Sequence, residues 1–303
     1  MWSTDVKNDL DSLVPGQSTE DGASRRTALK VALGLGYAAA AMPVMAQTAI
    51  KTSAEGLTEG FEIFDLDGAT VPFYYAKPEG KANLPVIVVV QEICGVHAYI
   101  TDVCRRFAKL GYLAVAPEVS VRQGDASKYI DVSKLVAEVA NKVPDDQLMA
   151  DLDAMVDWAL ANGGNAKKVG ITGFCRGGRT VWMYAAYSKR VKAGVAWYGG
   201  LKGTANALTP KHPLDIAGAL QAPVLGLYGG QDGGIPLTHV IEMKEALAGA
   251  AAKGNKAAAA SEFVVFKDAP HAFHADYRAT YRKEAADEGF AKALAWFKAK
   301  GVA

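Results

Sequence analysis

The ten residues Val169-Gly-Ile-Thr-Gly-Phe-Cys-Arg-Gly-Gly178 place the pattern Gly-x-Cys-x-Gly directly after a short apolar run. A strand that leads into such a turn, followed by a helix, presents a nucleophile at the edge of an α/β sheet. The glycines allow the tight turn and let helix and strand approach each other. The helix N-terminus beneath the thiol favours its thiolate form. The pattern predicts Cys175 as a nucleophile, and the alternative is a buried structural cysteine.

Two later loops supply the partners that such a nucleophile needs, in the chain order nucleophile, acid, histidine. Asp232 follows one predicted strand, and His271 follows the next predicted strand along the chain. Open α/β sheets place their sites where strands end. The sequence therefore predicts that Cys175, Asp232 and His271 form a catalytic triad. Asp268 remains an alternative acid, and His274 an alternative base.

The other histidines have no comparable context. His97, His212 and His239 follow no triad pattern and are expected at the surface or in loops. His271 and His274 could in principle bind zinc, but no third ligand with a recognisable spacing accompanies them. We therefore expect neither a metal nor an organic cofactor.

Predicted strands and helices alternate at least five times along the chain. This alternation favours a mostly parallel central sheet with helices on both faces. Asp67-Gly68, between two alternating stretches, indicates a β-hairpin. The polar region 119–144 is expected to be a loop with a short helix over the site, and 257–260 an exposed loop or helix end. The predicted strands are 61–65, 70–76, 85–92, 112–116, 168–172, 191–197, 223–228 and 262–266; the predicted helices are 99–110, 145–162, 179–187, 237–251 and 281–298.

Composition excludes several classes of protein. The chain has 303 residues, of which 50% are hydrophobic and 21% charged, with a formal net charge of +1. These values are typical of a globular protein and exclude a disordered or collagenous chain. Three cysteines are too few for a disulfide framework. The near-neutral balance, with no basic stripe, argues against a nucleic-acid partner.

The N-terminal segment 1–46 is expected to be an export signal. Arg25-Arg26 precedes a weakly apolar run at 31–41, and Val44-Met-Ala46 fits a signal-peptidase site. This arrangement resembles a twin-arginine signal, and the alternative is an amphipathic helix with a chance arginine pair. The run is too short to span a membrane. We expect cleavage after Ala46, a periplasmic or secreted location, and one domain over residues 47–303.

Four motifs together resemble the dienelactone hydrolase family, which includes carboxymethylenebutenolidases and has the α/β-hydrolase fold. The motifs are Gln91-Glu-Ile-Cys-Gly95, Gly173-Phe-Cys-Arg-Gly-Gly178, Gly229-Gly-Gln-Asp232 and Pro270-His-Ala-Phe273. The resemblance runs from about Gly60 to the C-terminus. It implies Cys175 as nucleophile, His271 as base and Asp232 as its orienting acid. It also implies that Glu92 contacts the resting thiol and that the backbone N–H groups of Ile93 and Arg176 form the oxyanion hole.

Some positions leave alternatives open. Glu92 could instead be a capping or ion-pair residue at a strand end. Members that open dienelactone carry an arginine shortly after the histidine to hold the substrate carboxylate, and this chain has Ala275 there. Arg278 is a candidate replacement, and Arg122 is a weaker candidate for a second substrate-binding arginine.

These residues favour a monomeric hydrolase of small esters or lactones that works through an acyl-enzyme on Cys175. A general esterase or thioesterase is the nearer alternative. A non-hydrolytic ligand-binding or redox-sensing protein that uses the Cys175 thiol is the alternative from another class. Export would also permit a disulfide between Cys94 and Cys104.

Overall fold

The valine-rich run at 84–90 forms a strand in which every side chain except that of Pro85 is buried. Strands buried on both faces are typical of parallel sheets covered by helices on either side. The structure, a computed structural model, describes residues 50–66 and 68–303. The predicted export signal, with Arg25, Arg26 and Ala46, lies outside these residues.

Eight strands and eight helices are described. The strands are β1 Leu57–Leu66, β2 Ala69–Pro78, β3 Leu84–Val90, β4 Leu113–Pro117, β5 Gly164–Phe174, β6 Ala193–Trp197, β7 Val224–Gly229 and β8 Glu262–Phe266. The helices are α1 Ala98–Lys109, α2 Val132–Glu138, α3 Asp145–Ala161, α4 Arg176–Tyr187, α5 Pro213–Ile216, α6 Leu237–Ala252, α7 Lys256–Ala259 and α8 Lys283–Ala299. Short 3₁₀ turns lie at Ala126–Lys128, Ala140–Lys142 and Ala217–Ala219.

All eight strands belong to one sheet, in the order β1-β2-β4-β3-β5-β6-β7-β8. β1 pairs antiparallel with β2, with Leu66 opposite Ala69, so the predicted hairpin is present. β2 also pairs antiparallel with β4, and every later pairing is parallel. The mostly parallel sheet agrees with the prediction. The carboxyl ends of β3, β4, β5, β7 and β8 consequently lie along the same edge of the sheet.

Two neighbouring residues of β2 show that helices cover both faces of the sheet. The ring of Phe73 packs edge-on against Trp158 of α3, with centroids 4.7 Å apart. The ring of Tyr74 lies under the guanidinium of Arg105 from α1. Successive side chains of a strand point to opposite faces. The helices α1 and α3 therefore lie on opposite faces, as the α/β pattern predicts.

Two expectations about irregular segments were incomplete. Region 119–144 contains α2 between two 3₁₀ turns, so the expected short helix is present. The alanine-rich stretch at 257–260 overlaps the short helix α7, in which Ala258 is buried rather than exposed. No helix within residues 50–66 and 68–303 is long and apolar enough to cross a membrane.

Candidate active site

Cys175 occupies a strained turn between β5 and α4. Its backbone has φ +53° and ψ −113°, in the left-handed half of conformational space. A non-glycine residue rarely adopts a positive φ, and the surrounding structure must hold it there. The Cys175 N–H donates to the carbonyl of Trp197, 3.0 Å away, and the residue is the N-cap of α4. The thiol is half-buried at the end of the strand.

Helix α4 begins at Arg176, three residues earlier than the predicted start at Arg179. The prediction was wrong because Gly177 and Gly178 do not favour helix on their own. A Cβ on Gly177 would lie 2.6 Å from the Gln91 carbonyl, and one on Gly178 would lie 2.9 Å from Gly199. The glycines therefore serve close packing, and they bring the helix N-terminus directly beneath the thiol.

Asp232 and His271 meet at the same edge of the sheet. His271 Nδ1 and Asp232 Oδ2 are 2.7 Å apart, and the carboxylate side chain is fully buried. The other oxygen, Oδ1, accepts from the N–H groups of Gly234 and Ile235, each at 2.9 Å. Because three donors fix the carboxylate, the orientation of the imidazole ring is fixed as well.

His271 also contacts Cys175. Burial alone would lower the pKa of His271, but the Asp232 carboxylate and the Cys175 sulfur, which hydrogen-bonds to the ring, raise it well above its usual value. The structure thus brings together Cys175, His271 and Asp232. This arrangement can transfer a proton between thiol and imidazole while the carboxylate stabilises the imidazolium.

The alternative partners lie elsewhere. His274 Nδ1 is 2.6 Å from the Tyr99 hydroxyl, and burial lowers the pKa of His274 well below its usual value. Asp268 is exposed. The carboxylate that contacts His271 is therefore Asp232. No cluster of three metal-ligating His, Cys, Asp or Glu side chains is found in the ranges that the structure describes.

Glu92 lies in a second buried group, which we call the Glu92 cluster: Glu92, His97, Tyr277 and Arg278. Glu92 Oε2 accepts from the Tyr277 hydroxyl at 2.7 Å, and Oε1 is 3.2 Å from Arg278 Nη2. Arg278 Nε also donates to the Tyr277 hydroxyl, at 3.1 Å. Glu92 is therefore joined to Arg278, whereas no hydrogen bond from the Cys175 thiol to its carboxylate is seen among the described residues.

Two features of the cluster suit a ligand. Arg278 is 1% exposed, yet neither Nη1 nor Nη2 has a hydrogen-bond partner among the described residues. The Cys94 thiol lies within electrostatic range of both the cluster and Cys175. Burial raises the pKa of the Cys94 thiol to about 12, and the charges of Arg278, Glu92 and Cys175 also act on it.

His97 is the site residue that the sequence reasoning missed. It was expected at the surface or in a loop, but it is 5% exposed at the start of α1. Its Nε2 is 3.9 Å from Glu92, and its ring packs edge-on against Tyr277. Burial lowers the pKa of His97 to about 4. Its position five residues after Glu92, in the loop that follows β3, was the available signal.

The two candidates for the oxyanion hole flank the elbow. Arg176 is the first residue of α4, and Ile93 lies in the loop after β3. The backbone at Gln91 packs against Gly177, so this loop lies over the elbow. The Arg176 side chain is half-buried, and its Nη2 donates to the Val143 carbonyl at 3.3 Å.

Arg122 does not join the site, and no disulfide links Cys94 to Cys104. Arg122 Nη1 pairs with the buried Asp151 carboxylate at 2.7 Å, and Nη2 lies 3.4 Å from the Leu66 carbonyl. None of these partners belongs to the triad or to the Glu92 cluster. Cys94 and Cys104 are both free, and Cys104 is buried in α1.

Comparison with known proteins identifies the family. The dienelactone hydrolase family profile matches residues 71–301. A protein of Methylorubrum extorquens named "Putative carboxymethylenebutenolidase" is 50% identical over 281 residues, covering 92% of this chain and 94% of the relative. A protein of the same name from Escherichia coli K12 is 46% identical, with coverages of 88% and 96%.

A solved structure agrees with the sequence comparisons. The crystal structure of a "Putative Dienelactone Hydrolase" from Klebsiella pneumoniae superimposes with a TM-score of 0.76 at 48% identity. The match covers 80% of this chain and 98% of that structure. With the profile and the two relatives, it establishes that the chain belongs to the dienelactone hydrolase family, a family of hydrolases with the α/β-hydrolase fold.

Proposed function

We propose that this hydrolase cleaves small carboxylic esters or lactones with Cys175 as its nucleophile. The contact series Cys175–His271–Asp232 is the observation that carries the proposal. The sulfur attacks the acyl carbon, and His271 passes a proton to the leaving oxygen. A thioester forms on Cys175 as the alcohol leaves. Water, deprotonated by His271, then releases the acid and restores the thiol.

The negative oxygen that develops during attack needs hydrogen-bond donors. We assign these to the backbone N–H groups of Arg176 and Ile93. Arg176 lies at the N-terminus of α4, where N–H groups have no partner within the helix. Donors held in advance at this position stabilise the transition state more than the ground state.

Arg278 is the proposed anchor for a carboxylate on the substrate. Its terminal nitrogens make no hydrogen bond among the described residues, and Nη2 is ion-paired with Glu92, so these buried charged donors could bind a carboxylate strongly. Glu92 now supplies the negative charge beside them. An incoming carboxylate would compete for Arg278 and release Glu92 toward the thiol. Arg122, already paired with Asp151, is not included in this proposal.

A substrate panel on the chain from residue 47 onward tests the function. The panel pairs a lactone and p-nitrophenyl acetate with a thioester, and Cys175→Ala serves as the control. We expect Cys175-dependent turnover of lactone and oxygen ester, and an acyl adduct on Cys175 by mass spectrometry. Preferred thioester turnover would favour the thioesterase alternative. Reversible oxidation of the thiol without any turnover would favour the redox alternative.

We also propose export by the twin-arginine route, with cleavage after Ala46. The support is the pair Arg25-Arg26 ahead of a weakly apolar run. Replacing both arginines with lysine should leave the precursor in the cytoplasm. Mature protein in the periplasm of a strain that lacks this route would contradict the proposal.

A further inference from the structure

Glu118 is a buried carboxylate that neither the triad nor the Glu92 cluster uses. It follows β4 directly and is 2% exposed. Its Oε1 accepts from Gln91 Nε2 at 2.6 Å and from Ser120 Oγ at 2.8 Å. Its Oε2 accepts from the backbone N–H of Val96 at 2.8 Å. Three donors from two segments of chain thus converge on one side chain.

Hydrogen bonds alone hold this carboxylate. No arginine, lysine or histidine of the described chain forms an ion pair with Glu118. Burial raises the pKa of Glu118, whereas the hydrogen bonds from Gln91, Val96 and Ser120 oppose that rise. Burying a carboxylate without a cation is costly. An apolar side chain could fill this space at a lower free-energy cost. The role of Glu118 therefore lies in the groups that it holds in place.

What it holds is the loop between β3 and α1, residues 91–97. Gln91, at the start of this loop, and Val96, near its end, are both tied to the same carboxylate. The loop turns through Gly95, which has φ +85°. Between the two ties lie Glu92 and Ile93. Glu118 therefore fixes both ends of a segment that begins against the elbow, where the Gln91 carbonyl packs on Gly177.

We propose that Glu118 is a positioning residue for the oxyanion hole, because it clamps residues 91–96 so that the Ile93 N–H is aimed at the reacting carbonyl oxygen. This inference rests on the proposed function. A donor must lie within about 3 Å of the oxyanion, and a misplacement of about 1 Å can cost roughly 100-fold in rate. A loop without such an anchor would not hold the Ile93 N–H within this distance of the oxyanion.

The test compares two reactions of the same thiol. Acylation by p-nitrophenyl acetate passes through an oxyanion, whereas alkylation by iodoacetamide does not. Glu118→Met removes all three acceptor contacts at similar volume. We expect the acylation rate of Cys175 to fall at least tenfold, with kcat reduced more than KM changes. The alkylation rate should stay within about twofold, because that reaction needs no oxyanion hole.

Glu118→Gln is the conservative variant that should rescue acylation. Its amide oxygen can still accept from Val96. Its amide group can donate to Gln91 Oε1, which has no hydrogen-bond partner among the described residues, once the Gln91 amide turns over. We expect acylation within about threefold of the wild-type rate. An equal loss in both variants would mean that the charge of Glu118, not its positioning, matters, and would overturn the inference.

Further variants keep the result decisive. Tyr184→Phe removes a partly buried hydrogen bond away from the site, the one to Asp153 at 2.6 Å, and should change neither rate. Should Glu118→Met not fold, Gln91→Met removes one tie and should slow acylation alone, by about threefold. Wild-type acylation speed in a folded Glu118→Met variant would overturn the inference while leaving the proposed function intact. Acylation that persists in Cys175→Ala would instead overturn the proposed function.

Discussion

His271 in the triad and His97 in the Glu92 cluster both lie beside a buried carboxylate at the same edge of the sheet, yet their pKa values move in opposite directions. The pKa of His271 is raised well above its usual value, and that of His97 is lowered to about 4. Burial acts against the charged form of both rings. The difference must therefore come from the charged groups beside each ring, which are Asp232 and Cys175 at His271 and Glu92 with Arg278 at His97.

The two carboxylates differ in what already neutralises them. Asp232 pairs with no other cation of the described chain and touches His271 at 2.7 Å. Glu92 faces Arg278 at 3.2 Å and lies 3.9 Å from His97. The positive charge of Arg278 further lowers the pKa of His97. Asp232 therefore stabilises a proton on His271. In the Glu92 cluster, the charges of Glu92 and Arg278 already neutralise each other while His97 is uncharged.

Removing the thiol of Cys175, the proposed nucleophile, should have the largest effect on this comparison. Cys175→Ala should lower ester turnover by about 1000-fold or more, since loss of a nucleophile usually costs several decades. The melting temperature should change by only a few degrees, because the elbow backbone is held by its neighbours rather than by the thiol. Steady-state kinetics and a thermal melt check both. Turnover above about a tenth of wild type would reject Cys175 as nucleophile.

Asp232→Asn tests the charge on the triad side. The Asn oxygen can keep the contacts to Gly234 and Ile235, but its amide group then faces His271 Nδ1. We expect kcat to fall by about 100-fold or more. Losing the negative charge also lowers the pKa of His271, so the alkaline limb of the pH–rate profile moves to lower pH. An unmoved limb would show that Asp232 does not set the His271 pKa.

Glu92→Gln tests the balance in the cluster. Arg278 loses its counter-charge and becomes a net positive neighbour of Cys94 and Cys175, which favours a thiolate. We expect iodoacetamide to label Cys175 severalfold faster near neutral pH. The control is Glu59→Gln, which breaks the ion pair with Arg105 and should leave labelling unchanged. If Cys175 in Glu92→Gln is labelled at the wild-type rate over roughly pH 5 to 9, Glu92 has only a structural role as the ion-pair partner of Arg278.

His97→Phe should have the smallest effect, and it appears only in acid. The folded pKa of about 4 is below the unfolded value of about 6.5, so the unfolded chain binds more protons between them. The stability that neutral His97 contributes is complete above about pH 6.5 and is lost as the pH falls toward 4.

Phenylalanine keeps the ring contacts of His97 and removes this titration. The fall in melting temperature between pH 7 and 5 should therefore be a few degrees smaller in His97→Phe than in the wild type. His239→Gln is the control and should follow the wild-type curve. Parallel curves for wild type and His97→Phe would mean that the pKa of His97 is the same in the folded and unfolded chains.

The meeting of Cys175, Asp232 and His271 at one edge of the sheet could be predicted because each of them has a local signal. Cys175 lies in a strand–turn–helix pattern, and Asp232 and His271 follow strands whose apolar runs are visible in the chain. Parallel strands bring such loops to one edge whatever the details of packing. The fold class follows from the same alternation of strands and helices.

The Glu92 cluster could not be predicted in the same way. Tyr277 and Arg278 reach Glu92 across most of the chain, and no local periodicity records which side chain fills a given space. The burial of His97 and the pairing of Arg122 with Asp151 depend on the same distant packing. The early start of α4 was missed for a related reason, because only neighbouring backbones explain its glycines.

The glycines around the elbow restrict which substitutions the fold tolerates. A single-nucleotide change that alters a glycine codon either adds at least a Cβ or ends the chain. At Gly173, Gly177, Gly178 and Gly199 the added carbon would meet backbone atoms, which cannot rotate away as a side chain can. The fold therefore does not tolerate substitutions at these four positions, whereas it tolerates them in the exposed parts of region 119–144. New substrate preferences in this lineage must be acquired around the elbow, with the elbow itself unchanged.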